Sequence, residues 1–311
     1  MRSLSRRTFL AAAAGAAACS SEAPVTEPAH ESVTETPQAI LDFHCHTLHL
    51  GRTNEQLVAH QAALGVGKTV LLPGAGWLLE RIGGNEHCAE LAKTDPDHFV
   101  LFANADSAED DAVATLDTWL KGDARGIGEQ KFKVPVDGKQ MRRIFDLARE
   151  HKAPVLVHFE HEMYNLGIQN LPKILEEYHD VTFLGHAQTW WGNVGADLDQ
   201  TDMYPTGPVK RGGLTDRLLA DYPNIYGDLS AGSGRNAITR DADFGRGFVE
   251  RHQDKLVWGS DCPCPDAQGT GRSDNKCIAA TCLAALKNLA PNDEVYKKIV
   301  WGNGAKILGI A

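Results

Sequence analysis

His44 and His46 stand two residues apart in Asp42-Phe43-His44-Cys45-His46-Thr47, directly after the apolar run Ala39-Ile40-Leu41. Side chains of a strand alternate between its faces, so the two imidazoles point the same way. Side by side on one rigid element, they can chelate a divalent metal ion. A tripeptide this short equally describes two unconnected histidines near a strand end. Donors elsewhere shift the balance: Glu129 in Gly126-Ile127-Gly128-Glu129-Gln130-Lys131, His158 after Val155-Leu156-Val157, His186 after Phe183-Leu184-Gly185, and Asp261 after Trp258-Gly259-Ser260. Each closes a strand-like run. Singly, each reads as a core histidine or a capping acid; together they form a constellation. Histidine and carboxylate donors suit zinc, manganese, iron or nickel without choosing among them. A catalytic site of this kind keeps a position open for water, whose pKa the metal lowers. Asp261 is assigned the proton of that water, and it is free to bind the metal as well.

The elements that must hold these residues alternate along the chain. Strand-like runs fall at 39–46, 67–73, 98–104, 124–131, 153–159, 181–186, 224–229 and 255–261. Between them run helical stripes with i, i+3, i+4, i+7 spacing, as in Met141, Ile144, Phe145 and Ala148, or Leu171, Ile174, Leu175 and Tyr178. Val113, Leu116 and Leu120 form another, and all three stripes are core packing. Continuous apolar strands separated by helices predict a parallel sheet covered on its faces. Eight such units predict a closed (β/α)₈ TIM barrel, whose chemistry sits at the C-terminal ends of the strands. A doubly wound sheet is the second option, but no glycine-rich phosphate loop follows the first strand. The stretch 187–212, with Trp190, Trp191, Pro205 and Pro208, reads either as a binding loop or as a surface excursion.

The first 38 residues belong to another class. Ser5-Arg6-Arg7-Thr8-Phe9-Leu10 before an alanine-rich run resembles a twin-arginine export signal. Ala16-Ala17-Ala18-Cys19-Ser20 resembles a lipoprotein processing site, with Cys19 as the acylated residue. The expected organisation is a signal over 1–18, a disordered tether over 19–38 rich in Glu, Thr, Ser and Pro, and a barrel over 39–311. The expected location is periplasmic or cell-surface, with the membrane reached only through the lipid anchor. Removing 1–18 takes away Arg2, Arg6 and Arg7 and no acid, so the formal charge moves from −10 to −13. A field of that sign repels phosphate backbones, which argues against a nucleic-acid substrate. Apart from Cys19, the cysteines are Cys45, Cys88, Cys262, Cys264, Cys277 and Cys282. Cys45 is expected to face away from its histidine neighbours as an inert buried thiol. The last four crowd the region after the final strand and suit one or two disulfides or a metal-binding group. They contain no Cys-x-x-Cys pair, which puts structural zinc second.

In this order (His-x-His on strand 1, His on strands 5 and 6, Asp on strand 8) the residues resemble the amidohydrolase superfamily. The closing stretch Lys298-Ile299-Val300-Trp301-Gly302-Asn303-Gly304-Ala305-Lys306-Ile307-Leu308-Gly309 is similar to the tail of its amidohydrolase-related branch. That branch holds metal-dependent hydrolases and non-oxidative decarboxylases. The resemblance, over about 39–311, implies His44, His46, His158 and Asp261 as core ligands. It gives His186 either a catalytic role or a second ion. Ile127-Gly128-Glu129 is similar to the strand 4 motif of TatD-like hydrolases, in which the glutamate bridges two ions; Lys131, carbamylated, is the alternative bridge. The implied cofactor is one or two divalent ions, zinc foremost. Substrate contacts are assigned to Trp190 and to Arg235, which could hold a carboxylate. Asp228, Ser230, Arg240, His161 and Glu162 are outer candidates, and His49 and His60 are expected to be structural.

The expected activity is hydrolysis of an ester, lactone, amide or phosphoester in a small molecule, with Asp261 shuttling the proton and His186 assisting. Two rivals stand beside it. A decarboxylase on the same scaffold predicts one ion and no need for Glu129. A non-catalytic surface lipoprotein predicts binding without turnover.

Overall fold

A computed structural model describes residues 39–310 of the chain. The expected export signal, the tether and the lipidation site Cys19 lie outside the described residues. Within them, all eight expected strands form, somewhat shorter than the apolar runs. They are β1 (Ile40–Cys45), β2 (Val66–Leu71), β3 (Phe99–Leu101), β4 (Ile127–Gln130), β5 (Val155–His158), β6 (Phe183–His186), β7 (Ile225–Asp228) and β8 (Leu256–Val257). Every ladder is parallel, in the orders β1-β2-β3 and β4-β5-β6-β7-β8. Two seams join the sheets into the expected (β/α)₈ barrel. Ala103 bridges Ile127 between β3 and β4, where Gly128 N donates to Ala103 O at 2.9 Å. Phe43 N donates to Trp258 O at 3.1 Å between β1 and β8, and Asp261 N to His44 O at 2.7 Å.

Strand alternation separates two cores. Inside the barrel lie Leu41, Phe43, Val70, Leu72, Phe102, Leu156, Leu184, Tyr226 and Val257. Between strands and helices lies the larger core, which takes Cys45, Val155, Val157 and Phe183. Cys45 therefore faces the strand–helix layer, and burial pushes its thiol up to about 12. The helical stripes fill the same layer: Met141, Ile144, Phe145 and Ala148 are fully buried on the helix Lys139–His151. On β4 a side chain at Gly128 would press within 2.9 Å of Leu156 Cβ, so glycine there leaves room for the inner core. The helix Asn303–Leu308 closes the end of the barrel opposite the histidines. Its Ala305 joins the inner cluster, and a Cβ at Gly304 would touch the Phe43 ring at 3.1 Å. That is the physical use of the tail motif: small residues let a helix plug the barrel floor. Among the described residues no helix is long and apolar enough to cross a membrane.

Candidate metal centre

β1 carries His44, and His46 follows directly after its last residue, Cys45; an irregularity in its pairing with β2 falls between Asp42 and Cys45. β4 contributes Glu129, β5 His158 and β6 His186, the last two directly paired across their strands. Asp261 departs from the expected strand end. β8 stops at Val257, and Asp261 lies four residues later in a left-handed conformation, φ 40°. Two hydrogen bonds hold this extension against β1: Ser260 N to Asp42 Oδ1 at 2.7 Å and Asp261 N to His44 O at 2.7 Å. Asp42 is fully buried and also accepts from Gln61 Nε2 at 2.7 Å, so it organises both flanks of the site.

The ring tautomers follow from their partners. His46 Nδ1 lies 2.8 Å from the Leu72 carbonyl oxygen, an obligate acceptor, so this nitrogen donates. His44 Nδ1 donates to Asp228 Oδ2 at 2.7 Å. His186 Nδ1 donates to Ser230 Oγ at 2.9 Å, and that hydroxyl passes its proton on to Asp228 Oδ2 at 2.8 Å. Three Nε2 lone pairs are thereby turned into one space. His44 Nε2 and His46 Nε2 face each other at 3.2 Å. His46 Nε2 is 3.5 Å from Asp261 Oδ1 and 3.6 Å from Glu129 Oε2, and His186 Nε2 is 3.5 Å from Glu129 Oε1. Without an ion, the His44 proton is the cation that lies among these acceptors; a divalent ion that displaces it meets the imidazole lone pairs and the carboxylates together. The donor set therefore fits a divalent ion, with the outer hydrogen bonds orienting each ring as metal sites require.

Two sets of donor atoms converge within metal-binding distance: His44, His46 and Asp261, and His44, Glu129 and His186. Glu129 offers one oxygen to each side, Oε2 toward His46 and Oε1 toward His186. His158 reaches the site but stands outside both sets. Its Nδ1 hydrogen-bonds Glu129 and its Nε2 lies 3.1 Å from Glu160 Oε2, so both nitrogens are engaged by carboxylates. Burial disfavours ionisation of Glu129, yet His158, Lys131 and His44 hold its carboxyl well below the usual range. Asp261 is also lowered, because His44, His49, His46 and His186 outweigh burial. Burial and the neighbouring His44 push His46 down to about 3. His44 goes the other way, to about 9: burial opposes its charge, but the Asp228 and Asp261 carboxylates win.

The Lys131 ammonium stands over the Trp77 and Tyr164 rings at 5.8 and 5.5 Å from their centroids. Burial works to lower its pKa, but Glu129, Asp261 and Glu160 raise it overall. Trp190 requires a correction. It is fully buried in the outer core, stacked on Phe159, and a Cβ at Gly185 would strike its ring at 2.4 Å. The short helix Gln188–Gly192 that follows β6 lays the Trp190 ring against the outward-facing Gly185, so it is a packing residue. Arg235 lines a cavity of about 360 Å³ with Asp261, His49, Tyr204, Arg272 and Lys276. The stretch 187–212 thus divides: Trp190 and Trp191 pack inside, while Tyr204 reaches the mouth. Two residues of the site were not assigned from sequence. His49 Nδ1 is 3.6 Å from Asp261 Oδ1, and Glu160 holds His158. The only sequence signal for either is its place just beyond a strand's donor.

Residues 215–310 match the amidohydrolase family model. No curated protein matches the chain. Among solved structures, a probable 2-pyrone-4,6-dicarboxylic acid hydrolase from Acinetobacter baumannii, with citric acid bound, is similar at TM-score 0.61 and 14% identity, over 88% of this chain and 100% of that one. A 2,6-dihydroxybenzoate decarboxylase from Rhizobium is similar at 0.55 and 12%, over 88% and 99%. A 5-carboxyvanillate decarboxylase from Novosphingobium aromaticivorans, complexed with manganese, is similar at 0.53 and 14%, over 82% and 80%. The chain thus shares its barrel with these hydrolases and decarboxylases, and its last strand–helix units match the amidohydrolase family model.

Proposed function

We propose that the chain is a metal-dependent hydrolase that cleaves an ester, lactone, amide or phosphoester bond in a small anionic molecule. The observation that carries this reading is the position of Asp261. One of its oxygens faces His46 and the other lies 3.8 Å from His186 Nε2, while its side chain keeps 19% exposure toward the cavity. His44, His46, Glu129 and His186 are sealed by comparison. Asp261 therefore touches both the donor set and the place where substrate arrives.

In this reading His44, His46 and Asp261 would hold a first ion, and Glu129 and His186 a second. Zinc is the ion proposed. A bound divalent ion supplies Lewis-acid polarisation of the substrate oxygen and makes a water acidic enough to lose its proton near neutrality. Asp261, kept ionised by its imidazole neighbours, takes that proton and returns it to the leaving group. His186 orients beside it through the Ser230–Asp228 relay. Arg235 and Arg272 on the cavity wall give a substrate carboxylate its partners. That charge preference agrees with the carboxylic acids named in the similar hydrolase and decarboxylases.

The test is turnover on a panel of carboxylated esters, lactones, amides and phosphoesters, with metal content measured for wild type and Glu129→Ala. Hydrolysis that disappears on chelation, together with one ion fewer per chain in the variant, is the expected result. Carbon dioxide release from aromatic acids with Glu129→Ala still active would replace this reading with the decarboxylase. Full metal occupancy without turnover on either panel would leave a binding protein. Export and anchoring are proposed from the N-terminal residues alone; Cys19→Ser should abolish incorporation of labelled palmitate, and unchanged labelling would remove the anchor.

A further inference from the structure

Outside the barrel mouth, four buried side chains from distant parts of the chain bring their donor atoms together. They are His60 on the helix Asn54–Ala63, Cys262 and Cys264 in the segment after β8, and Cys277 at the start of the helix Ile278–Leu289. All four donor atoms lie within 4.8 Å of one another. Cys262 Sγ and Cys277 Sγ are 3.6 Å apart, and His60 Nε2 is 3.4 Å from Cys277 Sγ. A tetrahedral zinc with metal–sulfur and metal–nitrogen distances of about 2.3 and 2.0 Å requires edges of about 3.8 Å between sulfurs and about 3.5 Å from sulfur to nitrogen. The two measured edges match. A disulfide instead needs sulfurs about 2.05 Å apart, and it leaves the third thiol and the imidazole without a use. We propose that His60, Cys262, Cys264 and Cys277 form a closed structural zinc site.

The surroundings supply what such a site needs. Gln61 Nε2 donates to Asp42 Oδ2 and to Thr69 Oγ1 at 2.7 and 2.9 Å, which fixes its amide and leaves Oε1 as an acceptor. His60 Nδ1 donates to that Oε1 at 3.1 Å, so Nε2 presents its lone pair to the sulfurs. Backbone N–H groups support thiolates: Gly269 N lies 3.1 Å from Cys264 Sγ, and Ala280 N lies 3.5 Å from Cys277 Sγ at the positive end of its helix. Cys264 Sγ also lies 3.2 Å from Asp266 Oδ1, a thiol contact that ligation replaces. Three thiolates around a dication carry one net negative charge. The buried Arg52 sits against it, its Nη1 donating to Cys262 O at 2.6 Å and to Cys264 O at 3.3 Å. Soft thiolates with one imidazole and no open position select zinc. Four protein donors leave no place for water, so the ion does no chemistry. It clamps the segment that begins at Asp261 and forms the cavity wall to a helix of the barrel's outer layer. The site is independent of the reaction assigned to the mouth.

Among the described residues the barrel mouth has no sulfur donor, so a sulfur-to-metal signal reports this cluster. The full chain with cobalt(II) in place of zinc should show a near-ultraviolet thiolate-to-cobalt charge-transfer band. Cys264→Ser and Cys277→Ser should lose it; Asp261→Asn should keep it, as should Cys282→Ser, whose buried thiol lies outside the cluster. Should the serine variants fail to fold, titrating wild-type thiols with an organomercurial should release zinc in step with three reacting cysteines. Folded cobalt protein without the band, zinc content unaffected by the titration, or a Cys262–Cys277 disulfide in the native protein would each overturn the proposal.

Discussion

Asp261 and Cys262 are adjacent in sequence and belong to opposite kinds of donor cluster. Asp261 joins imidazoles and carboxylates delivered by separate strands, and its side chain reaches the cavity. Cys262 joins two further sulfurs and one imidazole delivered by helices and an irregular segment, and none of the four is accessible. The backbone makes the division at one residue: Asp261 takes φ 40°, a conformation that costs a non-glycine residue on the order of 1 kcal/mol. The turn sends one side chain into the mouth and the next into the outer layer. The lesson is one of coordination number. Strand ends arranged in a ring leave a gap at the centre for water and substrate, whereas donors gathered from all sides of a buried point close around the ion.

The sharpest way to break this comparison is Asp261→Asn. Loss of a positioned general base costs roughly 10²–10⁴-fold in rate, and kcat on the best hydrolytic substrate should fall by that much while the cobalt–sulfur band persists. If the band also disappears, the two clusters are one unit; if kcat stays within tenfold, Asp261 is not the base. Asp228→Asn comes next. Asp228 is fully buried and orients both His44 and His186 through Oδ2. Losing such an outer partner lowers metal affinity by roughly 10–100-fold. Competition with a chelator should show that loss at the mouth and none at the cysteine cluster. Equal losses at both would mean that Asp228 acts through overall stability.

How far each cluster could be read from the chain follows from how it is built. The mouth was legible because its donors end apolar runs, so His44, His46, Glu129, His158 and His186 are placed by strand periodicity alone. Asp261 was found for the same reason although β8 ends earlier, because Ser260 and Asp261 continue to bond β1. The cysteine cluster was only half legible. Cys262, Cys264 and Cys277 are close in sequence, but their fourth partner is a histidine about two hundred residues earlier on a helix with no distinguishing spacing. Cys282, grouped with them by proximity, turns instead to the Leu229 carbonyl at 3.4 Å. Trp190 failed for another reason. Its position after a donor strand suggested the mouth, yet Gly185 opens a slot on the outer face that a large ring fills.

The pH response of metal-stripped protein separates the clusters further. His44 is raised from the ordinary 6.5 to about 9. Its protonated ring therefore contributes stability that is complete below pH 6.5 and is lost as pH rises through about 9. An ion entering the mouth must displace this proton, so zinc affinity there should climb with pH up to about 9 and then level off. Calorimetry in buffers of different ionisation enthalpy would register the released proton. Asp228→Asn, which removes the first carboxylate holding that proton, should flatten the climb. A slope unchanged in the variant would detach His44 from the ion.

The smallest effects distinguish the two residues assigned to substrate contact. Arg235 lines the cavity beside Asp261 and donates to Thr281 Oγ1 at 3.2 Å, leaving the rest of its guanidinium for a substrate carboxylate. Arg235→Ala should raise KM for carboxylated substrates about tenfold, or ~1.4 kcal/mol, and do little to KM for neutral analogues. Trp190 has no exposed surface, so its truncation acts on folding. Trp190→Ala should cost about 3–5 kcal/mol of stability, the range for emptying a buried aromatic site, and the milder Trp190→Phe should lower Tm with KM unchanged. A KM shift in Trp190→Phe at constant Tm would reverse the assignment and bring the stretch after β6 back to the mouth.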